Sequence, residues 1–186
     1  MKPAPVPKIV EKELKAAIRK VPDFPSKGIM FRDVTTLWKD GRLLKECNDI
    51  LYDHYKGRRV DAVLGIEARG FIVGAPLAVS LGVGFIPLRK LGKLPGTKIS
   101  ESYDLEYGTA TLEIHTDAIK KGQRILIVDD LIATGGTALA AAKLVEVLRG
   151  TVEGFAFIVE LSGLHGRDAL KGYDIFSVLK YASEDE

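Results

Sequence analysis

The sequence predicts an α/β fold: a mostly parallel central sheet flanked by helices, with a β-hairpin projecting from it. Three observations carry that expectation. Five short apolar runs rich in Val, Ile and Phe, "VDAVLGI", "VGFIPL", "RILIVD", "GFAFIVEL" and "YDIFSVL", have the composition of strands buried on both faces. Helical stretches such as "FIVGAPLAVSLG" and "TALAAAKLVEVLRG" lie between several of them, and that alternation gives a parallel sheet its two covering layers. With 186 residues, 46% of them hydrophobic, the chain has enough material for one ordinary core and too little for two, so residues 1–186 are read as one domain.

The elements follow in chain order. Ile9, Val10, Leu14, Ala17, Ile18 and Val21 recur at helical spacing until Pro22, and Leu43, Leu44, Cys47, Ile50 and Leu51 repeat that period before Gly57. Between these two amphipathic helices runs "PDFPSKGIMFRDVTTLWKD", whose prolines and glycine argue against regular structure. After the first two strands, "SESYDLEYGTATLEIH" alternates: Tyr103, Leu105 and Tyr107 with polar residues, then Leu112 and Ile114, with Gly108 and Thr109 between. This pattern reads as an antiparallel hairpin. The first eight residues and the final "SEDE" read as loose tails.

Composition narrows the function classes. Lys+Arg 27 against Asp+Glu 25 gives a nearly balanced chain, so neither nucleic acid nor an anionic membrane is called for as a partner. The single cysteine, Cys47, excludes an internal disulfide and a cysteine-ligated zinc site. No apolar run has membrane-spanning length and no signal peptide pattern opens the chain, so a cytoplasmic location is expected.

The chemistry concentrates in "ILIVDDLIATGGT", Ile125 to Thr137. If "RILIV" is a central strand, Asp129 and Asp130 emerge at its carboxyl end, where ligands bind in such sheets. "ATGGT" then becomes the turn into the next helix. Gly135 and Gly136 permit backbone conformations that aim successive N–H groups at an anion, Thr134 and Thr137 add hydroxyl donors, and the helix N-terminus adds partial positive charge. A phosphate fits there. Two carboxylates would repel it, so they require a different partner, and adjacent ribose hydroxyls supply donors to acceptor-only groups. Together the halves describe a ribose-5-phosphate site. An acidic pair or a Gly-Gly turn alone would only end a strand or start a helix. The common mononucleotide and dinucleotide phosphate loops, G-x-x-x-x-G-K-[ST] and G-x-G-x-x-G, are both absent.

"ILIVDDLIATGGT" resembles the signature of the type I phosphoribosyltransferases, which bind 5-phosphoribosyl-1-pyrophosphate. "PDFPSKGIMFRDVT", "EARGFIVGAPLA", "GFIPLRKLGKLPG" and "SYDLEYGTATLEIH" resemble, in order and spacing, the adenine phosphoribosyltransferases of that family, from about Ile18 to about Leu161. The resemblance implies the type I fold, with an N-terminal helix and base-binding hood over about residues 1–35 and a flexible lid hairpin over about residues 91–115. It also implies formation of AMP and pyrophosphate from adenine and phosphoribosyl pyrophosphate, with Mg2+ held mainly by substrate oxygens, and a homodimer.

Site roles follow from the same resemblance, weighed against the chemistry of each residue. The ribose-5-phosphate group falls to Asp129, Asp130, Ala133, Thr134, Gly135, Gly136 and Thr137. Ala68 and Arg69 of "EARG" follow a strand, and a guanidinium that stays charged suits a pyrophosphate leaving group; the family often has a non-proline cis peptide in this loop. A surface arginine in a tight turn is the plainer alternative. Arg89, Lys90 and Lys93 of "RKLGKLPG" are also assigned to pyrophosphate, although basic runs of this size are usually solvated loops. Adenine is expected to stack between Phe31 and Leu131 and to be read by backbone groups around Met30 and Arg32. Phe31 as core packing and Arg32 with Asp33 as a local ion pair are the alternatives. Glu106 and Arg69 are the catalytic candidates, Glu106 handling the proton on the base and Tyr107 making a closing contact. His54, His115 and His165 share no motif and read as structural, and Trp38 and Cys47 as packing.

Two other functions stay open: a phosphoribosyltransferase for guanine, xanthine or hypoxanthine, and a non-catalytic regulator that senses phosphoribosyl pyrophosphate. The latter calls for a separate DNA-binding module, for which the short first helix leaves no room, or a strongly basic face.

Overall fold

The computed structural model describes residues 6–104 and 109–182. Helix α1 (Lys8–Ala17) leads into strands β1 (Arg19–Val21) and β2 (Phe31–Asp33) and helices α2 (Thr35–Trp38) and α3 (Gly41–Tyr55). Strand β3 (Ala62–Ile66), helix α4 (Arg69–Leu81) and strand β4 (Gly84–Lys90) precede the hairpin strands β5 (Lys98–Asp104) and β6 (Thr109–His115). Strand β7 (Arg124–Ile132), helix α5 (Gly136–Val147) and strand β8 (Thr151–Leu161) follow. A 3₁₀ turn (Ser162–Leu164), helix α6 (Gly166–Ala169) and strand β9 (Ile175–Tyr181) end the described chain.

The main sheet has the order β5-β6-β4-β3-β7-β8-β9. Strands β4, β3, β7, β8 and β9 pair in parallel, while β6 pairs antiparallel with both β4 and β5. All five apolar runs are strands of the parallel core. Alternate residues of β7 feed opposite layers: Leu126 and Val128 join α1, α3 and α4, whereas Ile125 and Ile127 meet the alanine-rich face of α5. A strand buried on both faces has no polar alternation to show, which is why β7 and β8 read as unbroken apolar runs.

Two expectations near the N-terminus are corrected. The first helical pattern does not persist to Val21, because α1 stops at Ala17 and Arg19–Val21 pairs antiparallel with Phe31–Asp33. Thr36 Oγ1 donates to the Ala17 carbonyl at 2.6 Å and accepts from Arg19 N at 3.0 Å, so a contact distant in sequence ends the helix. The segment between the helices is correspondingly not irregular throughout, since it contains β2 and α2. The C-terminal end of α1 and the following turn are thus organised by tertiary hydrogen bonds that override local propensity.

The expected hairpin is present, with its tip at residues 105–108 outside the described residues. Its strands pair from Lys98↔His115 to Asp104↔Thr109, and β6 joins the sheet edge through Arg89↔Glu113 and Lys90↔Leu112. Lys143 of α5 donates to Glu101 of β5 at 2.8 Å.

Candidate active site

Strand order places the site. The chain passes from β3 to β4 on one side and later continues through β7, β8 and β9 on the other, so the connections diverge between β3 and β7. Ligands of open α/β sheets bind beyond the carboxyl ends of the strands at such a divergence. The loops that leave β3 and β7 there are Glu67–Ala68 and Ala133–Gly135. A cavity of about 190 Å³ lies between them, lined by Arg69, Asp129, Asp130, Leu131, Ala133 to Gly135, Thr137 and Phe157.

The β7–α5 loop has the form of an anion cradle. Gly135 is the N-cap of α5 at φ 85°, a region that favours glycine, and no side chain caps the helix. Among the described residues, no backbone acceptor takes the N–H groups of Thr134 to Ala138, so the amide donors at the start of α5 await a partner. A methyl group on Gly135 would stand 2.5 Å from the Gly166 carbonyl oxygen and 3.0 Å from Ala169 Cβ. The loop is therefore held against the turn before α6.

The acidic pair is also held in place. Asp130 is buried and its Oδ2 lies 2.8 Å from Arg69 Nε, while its backbone N–H donates to Asp129 Oδ1 at 2.8 Å. Burial, with the neighbouring carboxylate second, holds Asp129 well above the usual carboxylate range. Burial also raises Asp130, and Arg69 only partly opposes it. Hydroxyl donors or cations arriving at this pair would favour its ionised form.

The loop after β3 links Arg69 to the basic run. The Glu67–Ala68 peptide is cis. Glu67 accepts from Arg89 Nε at 2.9 Å, Arg89 Nη2 at 3.3 Å and Lys90 N at 2.8 Å. The Arg89 hydrogen bonds hold the Glu67 carboxyl below its ordinary range, helped by the Lys90 amide. Lys93 is exposed in the turn that follows, its N–H bonded to Lys90 O at 3.1 Å.

Strand β2 brings the N-terminal segment to the site. The Arg69 guanidinium stands 5.9 Å from the Phe31 ring centroid, and Phe24 meets Phe31 edge-on at 5.1 Å. Ile29, Met30 and Arg32 instead border a second cavity of about 200 Å³, together with Leu161, Gly163, Leu164 and Tyr181. Arg32 is buried and its guanidinium lies 4.5 Å from the Tyr181 ring centroid.

Comparison with known proteins gives this geometry its family. The model of the phosphoribosyl transferase domain matches residues 33–179. The adenine phosphoribosyltransferase of Clostridium perfringens (strain SM101 / Type A) is 56% identical over 168 residues, which cover 90% of this chain and 98% of that protein. The chain belongs to the adenine phosphoribosyltransferase family. The crystal structure of the Thermoanaerobacter pseudethanolicus member superposes with TM-score 0.89 at 53% identity, covering 91% of this chain and 99% of the other. The Saccharomyces cerevisiae member, solved with an imino-altritol bisphosphate and adenine, superposes at 0.87 with 40% identity, covering 93% and 100%.

Apart from Met30, Phe31 and Arg32 of the β2 segment, the sequence-identified residues fall into three groups. Arg69, Asp129, Asp130, Leu131, Ala133, Thr134, Gly135 and Thr137 share one cavity, with Gly136 opening α5 and Ala68 capping α4 beside it. Arg89 and Lys90 approach through Glu67, while Lys93 stands apart in its turn. Glu106 and Tyr107 lie outside the described residues. Arg32 and Asp33 are not a mutual ion pair: Arg32 stacks on Tyr181, and Asp33 pairs with Arg19 at 2.9 Å. Sequence reasoning passed over Glu67, Phe157, Leu161, Gly163, Leu164 and Tyr181. Glu67 was visible as the acid within "EARG", but nothing local marks the others, which arrive by strand pairing from far along the chain.

The three histidines stay outside the cavity. His54 stacks on Phe176 at 3.8 Å, His115 Nδ1 lies 3.4 Å from Thr97 O, and His165 occupies the turn before α6 at φ 54°.

Proposed function

We infer that the chain transfers the 5-phosphoribosyl group of phosphoribosyl pyrophosphate to adenine, yielding AMP and pyrophosphate in purine salvage. One observation carries this reading: a glycine-capped helix start, an acidic pair and Arg69 converge on one cavity at the divergence of the sheet. The 5′-phosphate sits on the N–H groups of Ala133 to Thr137 with the Thr134 and Thr137 hydroxyls. The ribose hydroxyls donate to Asp129 and Asp130. Pyrophosphate meets Arg69 beside Ala68, with Arg89, Lys90 and Lys93 completing the basic wall. The Glu67 carboxylate orients Arg89 and the Lys90 amide.

Adenine stacks between Phe31 and Leu131, and backbone groups of Met30 and Arg32 read its amine and adjacent ring nitrogen. In the reaction the bond from the anomeric carbon to pyrophosphate oxygen breaks as the bond from a base nitrogen forms on the opposite face. Glu106 takes up the proton that the base loses. Tyr107 and the hairpin close over the site, because water would capture a carbocation-like sugar.

Mg2+ suits this donor set, since two carboxylates lie beside the phosphate cradle and the ion favours one or two carboxylates combined with substrate oxygens. When bound, it neutralises charge on the departing pyrophosphate. We place the protein in the cytoplasm. Its assembly is a homodimer, a reading supported by the apolar α4 face that Ile72 and Val79 expose. Light scattering tests the dimer, and a monomer at micromolar concentration would reject it.

The activity is tested by supplying Mg2+, phosphoribosyl pyrophosphate and adenine and following both products. AMP and pyrophosphate should appear together in equal amounts. Pyrophosphate release without AMP would mean hydrolysis and would contradict the assignment.

A further inference from the structure

We propose that Glu160 and Arg167 are a positioning pair that fixes, through one turn, both the phosphate cradle and the wall of the cavity bordered by Met30 and Arg32. The inference rests on reading Ala133 to Thr137 as a phosphate cradle.

The turn is anchored on Glu160, which accepts from Ser162 Oγ at 3.3 Å at the start of the turn and from Arg167 at its far end. Glu160, at the penultimate position of β8, is buried, and Arg167 donates to it twice, Nε to Oε1 at 2.7 Å and Nη2 to Oε2 at 2.7 Å. Arg167 Nη1 also reaches the Ile175 carbonyl of β9 at 3.2 Å. The guanidinium thus ties the Ser162–Ala169 segment to the last two strands of the sheet. Two parallel hydrogen bonds fix direction as well as distance. Burial raises the Glu160 carboxyl, but hydrogen bonds from Arg167 and Ser177, together with the Arg167 and Lys180 charges, hold the group below its ordinary range.

Both faces of the anchored turn touch the site. On one, Gly166 lies backbone to backbone against the cradle: a methyl group there would stand 2.8 Å from Ile132 Cγ1 and 3.1 Å from the Ala133 carbonyl carbon, and would overlap the Ala133 oxygen. Gly135 meets the Gly166 carbonyl in the reciprocal contact. No side chain separates loop from turn at these points, so a displacement of the turn passes directly into the cradle. On the other face, Leu161, Gly163 and Leu164 border the cavity shared with Met30 and Arg32. No side chain of the fork lines either cavity.

A pair serving stability alone has a different signature from a pair that sets geometry. Removing Arg167 from the buried Glu160 lowers stability in either case, whereas ligand recognition suffers only if the pair sets the placement of the binding groups. The experiment compares wild type, Arg167→Ala, Arg167→Lys and Glu160→Gln. It records melting temperature, Kd for ribose 5-phosphate by calorimetry, and kcat and KM for both substrates.

Arg167→Ala is expected to raise the ribose 5-phosphate Kd and the phosphoribosyl pyrophosphate KM by roughly tenfold or more, with a smaller change in kcat. The KM for adenine should rise with them. Arg167→Lys should not restore affinity, because an ammonium lacks the fork. Guanidinium ion at sub-denaturing concentration should partly restore Arg167→Ala. Variants that melt lower yet bind ribose 5-phosphate as tightly as wild type would overturn the proposal and leave a purely structural pair. Should Arg167→Ala fail to fold, Glu160→Gln, which keeps the side-chain shape, gives the same readout. Failure of wild type itself to bind ribose 5-phosphate would instead reject the cradle reading, and the pair's role with it.

Discussion

Replacing Gly135 with alanine perturbs the cradle at its tightest point, and the structure sets the size of the effect. The residue sits at φ 85°, where a side chain costs about 1–2 kcal/mol. The added methyl would also meet the Gly166 oxygen at 2.5 Å and Ala169 Cβ at 3.0 Å, and overpacking of a close contact costs about 1–3 kcal/mol. The sum is roughly 2–5 kcal/mol, or a fall in Tm of about 4–20 °C for a chain of this size. Gly122→Ala supplies the control, because Gly122 shares the positive φ, at 81°, but has nothing within 4 Å of the added methyl. It should lose only the conformational part, about 1–2 kcal/mol. Calorimetric unfolding of the three proteins, each with and without ribose 5-phosphate, separates the terms. Gly135→Ala should be the less stable variant by about 1–3 kcal/mol and should gain far less from ligand than wild type or Gly122→Ala. Equal destabilisation by the two substitutions would refute the contact argument, and undiminished stabilisation by ligand would refute the cradle.

Asp129→Asn with Asp130→Asn should lower kcat/KM by about two to four orders of magnitude, since two charge-assisted hydrogen bonds to the ribose hydroxyls are weakened; an unchanged kcat/KM would remove the ribose assignment. The same variant should be more stable than wild type without ligand near neutral pH. Both native carboxyl pKa values are raised above the unfolded value of about 3.9, so ionisation opposes folding as pH rises above that value. The advantage should therefore vanish below about pH 4 in melting curves, and an advantage independent of pH would contradict the electrostatic origin. Glu106→Ala should lower kcat far more than it weakens phosphoribosyl pyrophosphate binding, and near-normal kcat would reject the proton-handling role. Amides from Lys93 to Tyr107 should gain hydrogen-exchange protection when substrates bind; equal protection with and without ligand would reject closure.

What could be read from the chain beforehand was what short-range chemistry encodes. Strands β7 and β8 announced themselves because residues buried on both faces need no polar alternation, and the turn into α5 because glycine, threonine and an acidic pair have few joint uses. The coupling of Glu67 to Arg89 spans two adjacent parallel strands, and no spacing rule brings residues 22 positions apart together. The β1–β2 pair was hidden for a related reason. Ile18 and Val21 continue the period of α1, yet the Thr36 hydroxyl claims the Ala17 carbonyl and ends the helix. The turn that carries Gly166 gave no signal at all, because its importance lies in a backbone contact with Ala133 that exists only once β7 and β8 are paired.

The central claim is transfer of phosphoribosyl to adenine in preference to other purines, and one competition measures it. Equal concentrations of adenine, hypoxanthine and guanine share limiting phosphoribosyl pyrophosphate and Mg2+, and the nucleotides are separated by chromatography at early times. A site whose backbone groups pair with an amine leaves those groups unpaired when a carbonyl replaces it, so AMP should exceed IMP and GMP by orders of magnitude. Comparable IMP or GMP, or no nucleotide at all from correctly folded protein, would contradict the account.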